Sequence, residues 1–252
     1  MTGVSSRALI GLGALLALGM AAGAYVLGYQ AKQIGGNRQS ISVKGLAEKP
    51  VKADVAEWTV GVHVTGATRA EALQKSRAAL PDLKQFLAAH GFDPNVMKDS
   101  PERVSEYSVE KQMPDGRVRS VPQGYQSSQD IVLTSPDLPK IETAYRAIVQ
   151  FEAEGHPVTY EKPLYLVSNL EEVKMSLIGA ATDNARVRAG EFAKHGGVEV
   201  GDMRTASQGS FYILPVGAST DADDYGYGGT YDKSTIDKIA RVVVTIEYGI
   251  EH

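Results

Sequence analysis

The 252-residue chain has no cysteine. Disulfides, a thiolate nucleophile and cysteine-ligated zinc are therefore excluded, and the composition suits a cell-envelope compartment without requiring one. Any run of basic residues is missing as well: 26 Lys and Arg stand against 30 Asp and Glu, for a formal net charge of −4. Without a cationic stripe there is no electrostatic footprint for nucleic acid, and none is expected as a partner. The chain has no GxSxG, no HExxH, no P-loop and no GxGxxG opening a helix after a strand. The glycines of Gly226-Tyr-Gly-Gly229 lie outside any strand–helix context. No cofactor is implied and the chain reads as a non-enzyme. One route to catalysis stays open, a pocket that unites His63 or His156 with a carboxylate.

What the chain does have is one long apolar segment near its start. Ala8–Leu27, ALIGLGALLALGMAAGAYVL, contains no charge and is flanked by Arg7 and Lys32. About 20 helical residues span the ~30 Å hydrocarbon core of a bilayer. A signal peptide cleaved after Ala22-Gly23-Ala24 is the alternative. Against cleavage, apolar character continues through Tyr25-Val26-Leu27, and Tyr29 sits where an interfacial aromatic belt would be. The short tail ahead of the segment favours tail inside and C-terminal domain outside. Gly19 and Gly23 form a GxxxG, whose small residues let helix backbones approach in lipid. They are the candidate oligomerisation residues. The expected partners are the lipid bilayer, through residues 8–27, and further copies of the chain.

After a Gly35-Gly36-Asn37 linker the pattern changes to alternating strands and amphipathic helices. Ser40–Gly45 is a short strand. In Lys52–Thr65, Ala56, Trp58, Val60, Val62 and Val64 share one face of a second strand. Thr68 is an N-cap with Glu71 three residues on, so a helix follows, with Leu73, Leu80, Leu83 and Leu87 as its apolar face. It stops at His90-Gly91, and Pro81 inside it demands a kink or a restart. Residues 97–111 and 118–134 read as a hairpin about Met113-Pro-Asp-Gly116. A shorter helix runs through Phe151, then a strand at 158–167, a long helix at 170–195 ended by Gly196-Gly197, and a strand pair, 201–214 with 236–247.

This order repeats: strand, long helix, strand, strand over 52–134, and again over 158–247. The helix ends nearly coincide, Leu87-Ala-Ala-His90-Gly91 against Phe192-Ala-Lys-His195-Gly196. The expected fold is therefore α+β: two fused β-α-β-β units, antiparallel sheets with long helices on one face, behind an N-terminal transmembrane helix. Residues 1–36 are anchor and linker and 37–252 the domain, its first unit about 40–150 and its second about 156–252.

Few residues are candidates for chemistry. His90 and His195 fall at helix C-termini, where an imidazole meets the last carbonyls, and His63 lies on a polar strand face. Asp221, Asp223, Asp224 and Asp232, around Gly226, partly match a calcium loop, but Tyr225 fills a ligand position and Asp232 stands where a bidentate Glu belongs. They are weak metal candidates, and loop 217–232 is the place where a ligand- or metal-binding module would be built. Tyr212, Tyr225, Tyr227 and Tyr231 could instead form an interaction surface.

Ser42-Val-Lys-Gly45, Val51-Lys-Ala-Asp54, Thr68-Arg-Ala-Glu-Ala-Leu73, Gly124-Tyr-Gln-Ser-Ser128, Asp137-Leu138 and Ala180–Gly196 together resemble the SIMPL-domain, or YggE-like, family of bacterial envelope proteins. The likeness spans about residues 40–250, and its VKGLAE…VKAD form resembles the membrane-anchored members. The resemblance implies an exported protein that forms ring- or cage-like homo-oligomers and is linked to envelope or oxidative stress. It places the chain in the bacterial inner membrane, single-pass, with the C-terminal domain in the periplasm, or soluble in the periplasm if the segment is cleaved. It carries no catalytic residues.

Overall fold

In a computed structural model of the chain, the described residues are 13, 15–26, 28, 39–114, 116–218 and 229–251. Residues 15–26 are helical. The elements that follow are β1 (Ser40–Lys52), β2 (Val55–Gly66), α1 (Arg69–Ala89), β3 (Met97–Asp99), β4 (Arg103–Gln112), β5 (Val118–Ser135), α2 (Leu138–Ala153), β6 (Val158–Tyr160), β7 (Leu164–Leu166), α3 (Leu170–Gly196), β8 (Glu199–Pro215) and β9 (Asp237–Glu251). They form a mixed α+β structure with two sheets. The larger has the order β3-β5-β2-β6, with β4 also on β5 and β7 also on β2, and its pairs are antiparallel. The smaller has the order β1-β9-β8. Its strands also run antiparallel: Gln39 meets Ile250 while Glu48 meets Arg241, and Thr205 meets Glu247 while Gly209 lies against Val243.

Sheet membership departs from chain order. Residues 158–167, expected to open the second run, are two short strands that pair with β2. β1, expected within the first unit, pairs with β9. Only Ala53 and Asp54 separate β1 from β2, and both are tied down: Ala53 N donates to Ile236 O, and Asp54 N to Leu166 O. Alternation in a sequence fixes which face of a strand is buried, not which strand lies beside it.

Two compact units are distinguished. The large-core unit comprises Glu48–Met175 and Phe211–Arg241. There β2 alternates as expected, with Ala56, Trp58, Val60 and Val62 buried together with Ile131 and Leu133 of β5. Trp58 Nε1 donates to Glu161 O at 3.0 Å, and its ring meets Tyr145 edge-on with centroids 6.2 Å apart. The start of α1 is capped as expected: Thr68 Oγ1 accepts from Glu71 N, while Glu71 Oε2 accepts from Ala67 N. Its buried face is Ala72, Ser76, Leu83 and Leu87, so Leu73 is only half-buried. A Cβ at Gly66 would lie 2.6 Å from Ala72 N, so the first turns of α1 sit too close to β2 for leucine. The helix runs unbroken through Pro81, which faces solvent beside an exposed Arg77 whose carbonyl loses its helical donor.

The alanine unit comprises the residues up to Ala47 with Ser176–Ser210 and those from Val242. Ala181, Ala185, Ala189 and Ala193 of α3 recur every fourth residue and are all buried. A Cβ at Gly45 of β1 would lie 2.0 Å from Ala181 O and 2.8 Å from Ala185 Cβ. Helix and strand touch backbone to backbone, and only small residues allow it. At the end of α3, Gly197 takes φ +70° and Val198 N donates to Ala193 O, closing the helix as the paired glycines led us to expect.

Among the described residues no helix is long and apolar enough to cross a membrane. Of the segment 8–27, residues 8–12, 14 and 27 lie outside the described residues.

Candidate functional site

A densely bonded polar constellation among the described residues is the root of the 217–232 loop, in the large-core unit. Residues 230–238 are held to three neighbouring segments. Ile213 N donates to Thr230 O and Asp232 N to Ile213 O, both at 2.8 Å; Tyr165 N donates to Lys233 O at 2.8 Å; Val167 N donates to Tyr231 Oη at 2.7 Å. At the centre is Asp232. Its carboxylate accepts from Ser234 N at 2.9 Å, Ser234 Oγ at 2.7 Å, Thr235 Oγ1, and Lys238 Nζ at 3.0 Å. Lys238 Nζ also donates to Asp232 O at 2.6 Å, and its side chain is wholly buried. Burial pushes the Asp232 carboxyl up, but the donors from Ser234, Thr235 and Lys238 outweigh it and hold the group well below the usual carboxylate range. A buried ammonium needs such a partner.

Nearby, Asp54 accepts from Ser168 N at 2.8 Å and from Ser168 Oγ. The Ser168 hydroxyl, opposed in part by burial, holds the Asp54 carboxyl below its usual value. Asp232 thus braces the strap from within, while Asp54 ties the β1–β2 turn to the residues that follow β7.

This accounts for Asp232: its oxygens already serve Ser234, Thr235 and Lys238. Asp221, Asp223 and Asp224, like Tyr225, Gly226 and Tyr227, lie outside the described residues. Among the described residues no cluster of three His, Cys, Asp or Glu could hold a metal ion. Sequence reasoning missed Lys238, although a signal existed. The inward face of β9 reads Lys238, Ala240, Val242, Val244, Ile246, Tyr248, and a lysine on such a face demands a carboxylate. Asp232 followed by Ser234 and Thr235 is also the pattern of a self-bonded Asx turn.

The histidines fall in three settings. His90 Nδ1 lies 2.8 Å from Phe86 O, at a helix end as expected. His195 is exposed, 3.9 Å from Glu191 of its own helix. His63 and Asp82 share an open groove of about 560 Å³ with Thr65, Lys75 and Pro157. Next to it, His156 stacks on Phe151, centroids 3.8 Å apart, with Nδ1 3.7 Å from Asp82 Oδ2. That distance is an ion-pair contact, too long for the hydrogen bond of a base and its orienting acid. Lys75 Nζ is committed to Glu71 Oε1 at 2.8 Å and Thr65 O at 3.1 Å.

Gly19 and Gly23 stand in the N-terminal helical stretch. A Cβ at either would meet nothing within 4 Å, and Leu15, Leu16, Leu18, Met20, Tyr25 and Val26 are each more than half exposed.

Helix-covered antiparallel sheets and a strap locked by a buried Asp–Lys pair define a mixed α+β domain. The SIMPL family, described as protein of unknown function (DUF541), matches residues 41–245, and the chain belongs to it. No curated protein matches the chain. An uncharacterized conserved protein from Listeria innocua is a similar solved structure, at 12% identity over 78% of this chain and 91% of that chain, with a TM-score of 0.21.

Proposed function

We propose that this chain is a non-enzymatic, self-assembling protein of the bacterial cell envelope. Residues 8–27 hold it in the inner membrane, its C-terminal domain stands in the periplasm, and copies associate into a ring- or cage-like homo-oligomer. The observation that carries this reading is the bare apolar helix over 15–26, whose large side chains are exposed and whose Gly19 and Gly23 would present an added Cβ to open space. An uncovered apolar stretch of that kind calls for lipid or another protein. The resemblance to envelope proteins, an excess of acidic residues and the absence of cysteine support it. In this reading β2-α1-β4-β5 and β7-α3-β8-β9 descend from one duplicated β-α-β-β run.

Light scattering on detergent-solubilised full chain, beside a version lacking residues 1–36, tests the assembly. An oligomeric mass for the full chain is expected, and monomers in both samples would overturn the reading. Location is checked by carbonate washing: retention in the membrane fraction is expected, whereas a soluble periplasmic form starting near Tyr25 would mean cleavage.

A further inference from the structure

The small sheet treats its two edges differently. On the β1 edge, backbone groups that β9 does not reach are taken up by α3: Arg188 Nη1 donates to Lys44 O at 3.1 Å, and Leu46 N donates to Asn184 Oδ1 at 3.1 Å. This edge is occupied by side chains, which prevents a further strand from adding there. β8 forms the other edge. At Ile213 it is bridged to Tyr231, part of the strap. From Asp202 to Gly209, however, eight consecutive residues are exposed, so neither face of this stretch is covered, and no strand among the described residues pairs beyond it.

Nothing in that stretch resists pairing. Asp-Met-Arg-Thr-Ala-Ser-Gln-Gly contains no proline and no lysine, and its single acid and single base cancel. Natural edges are usually protected by such residues, by bulges or by covering elements. Here one edge is protected and the other is left long, near-neutral and bare.

We propose that β8 pairs with β8 of a second copy, antiparallel about a two-fold axis at Ala206. This rests on the self-assembly reading above and names the surface and partner for it. The choice of a second copy follows from the residues. An axis at Ala206 sets Arg204 opposite Gln208, Met203 opposite Gly209 and Thr205 opposite Ser207, with the small Ala206 facing itself. No like charges meet and hydroxyl faces hydroxyl, both favourable in cross-strand pairs. An axis at Arg204 or Asp202 would set like charges directly opposite each other. The join makes one six-stranded sheet from two three-stranded ones and removes both open edges together. The contact is isologous, so it links copies in pairs and supplies a two-fold element to a larger assembly.

The absence of native cysteine makes the test clean. Single variants Ala206→Cys and Gln208→Cys of the full chain are oxidised in detergent and run on non-reducing gels. Directly opposed residues of an antiparallel pair have Cα atoms about 4.5–5.5 Å apart, within disulfide range. Two copies of residue 208 would stand roughly 13 Å apart, four residues along the strand, which is outside it. At least tenfold more covalent dimer from Ala206→Cys than from Gln208→Cys is expected. Equal yields, or none from either while the unmodified chain still scatters as an oligomer, would overturn the β8 proposal and leave self-assembly standing. A monomeric unmodified chain would overturn both. A charge pair gives a second readout: Ala206→Lys and Ala206→Asp should each weaken association, and an equimolar mixture should restore it. Unchanged association in each variant alone would contradict the axis.

Discussion

In the large-core unit, Leu83 and Leu87 of α1 and Ile141 and Ile148 of α2 cover Trp58, Val60, Val62, Ile131 and Leu133 of the six-stranded sheet. In the alanine unit, α3 lies on a three-stranded sheet through Ala181, Ala185, Ala189 and Ala193, with Gly45 against its backbone. Burying a large aliphatic or aromatic side chain contributes about 1.5–3 kcal/mol, so the first arrangement draws its stability from volume. Alanine adds little per residue. It allows a close approach that tolerates no enlargement, and the sheet beneath keeps an open edge. A thin unit with a bare strand is suited to completion by another chain, whereas the thick unit is closed by its own strap.

The largest effect is expected at that strap. Asp232→Ala leaves the Lys238 ammonium buried without its carboxylate, and loss of one partner from such a pair costs roughly 3–5 kcal/mol. Urea denaturation followed by the fluorescence of Trp58, the only tryptophan of the chain, reads this unit directly. A loss below ~1 kcal/mol would show that the pair does not hold the strap.

Next comes Gly45→Val. Forcing extra carbon into a closed contact costs typically about 1–3 kcal/mol, and here the obstacle is backbone. Helical circular dichroism should be lost at lower urea while the Trp58 transition stays in place. Equal movement of both signals would mean that the two units unfold as one.

Acid should separate the units as well. Asp232 and Asp54 have carboxyls held below their usual range, so the stability they supply is present above the unfolded carboxyl value near 4 and is lost as pH falls through their folded values. Stability read at Trp58 should decline below about pH 4, and Ser168→Ala should reduce the part contributed by Asp54. A flat profile from pH 5 down to 3 would refute this. The smallest effect is at the α1 cap: Thr68→Ala is expected to cost ~1 kcal/mol, measured in the same urea experiment.

Much of the large-core unit was legible because its signals are local. The alternation around Trp58, the Thr68–Glu71 cap and the glycine stop after His90 each specify structure within a few residues, as does the glycine stop after His195 in the alanine unit. Sheet membership was not legible, since β1 is drawn to β9 some 190 residues away by pairing that leaves no periodic trace. The small-residue face of α1 escaped because Ala72 and Ser76 carry little hydrophobic signal, and their burial follows from the nearness of Gly66. The Asp232–Lys238 pair was half visible: Asp232 stood out as an acid in a loop, while its partner lay in a strand read for its apolar residues.

Hydrogen exchange, resolved to single amides, on detergent-solubilised full chain at assembling concentration and after dilution separates a paired β8 from a free one. In a lone copy, about half of the amides from Met203 to Gly209 point away from β9 and exchange freely, because neighbouring strand amides alternate in direction. With β8 paired to β8 of a second copy, these amides become protected at high concentration and open again on dilution, while those directed to β9 stay protected throughout. Free exchange at 203–209 in a sample that light scattering shows to be oligomeric would contradict it.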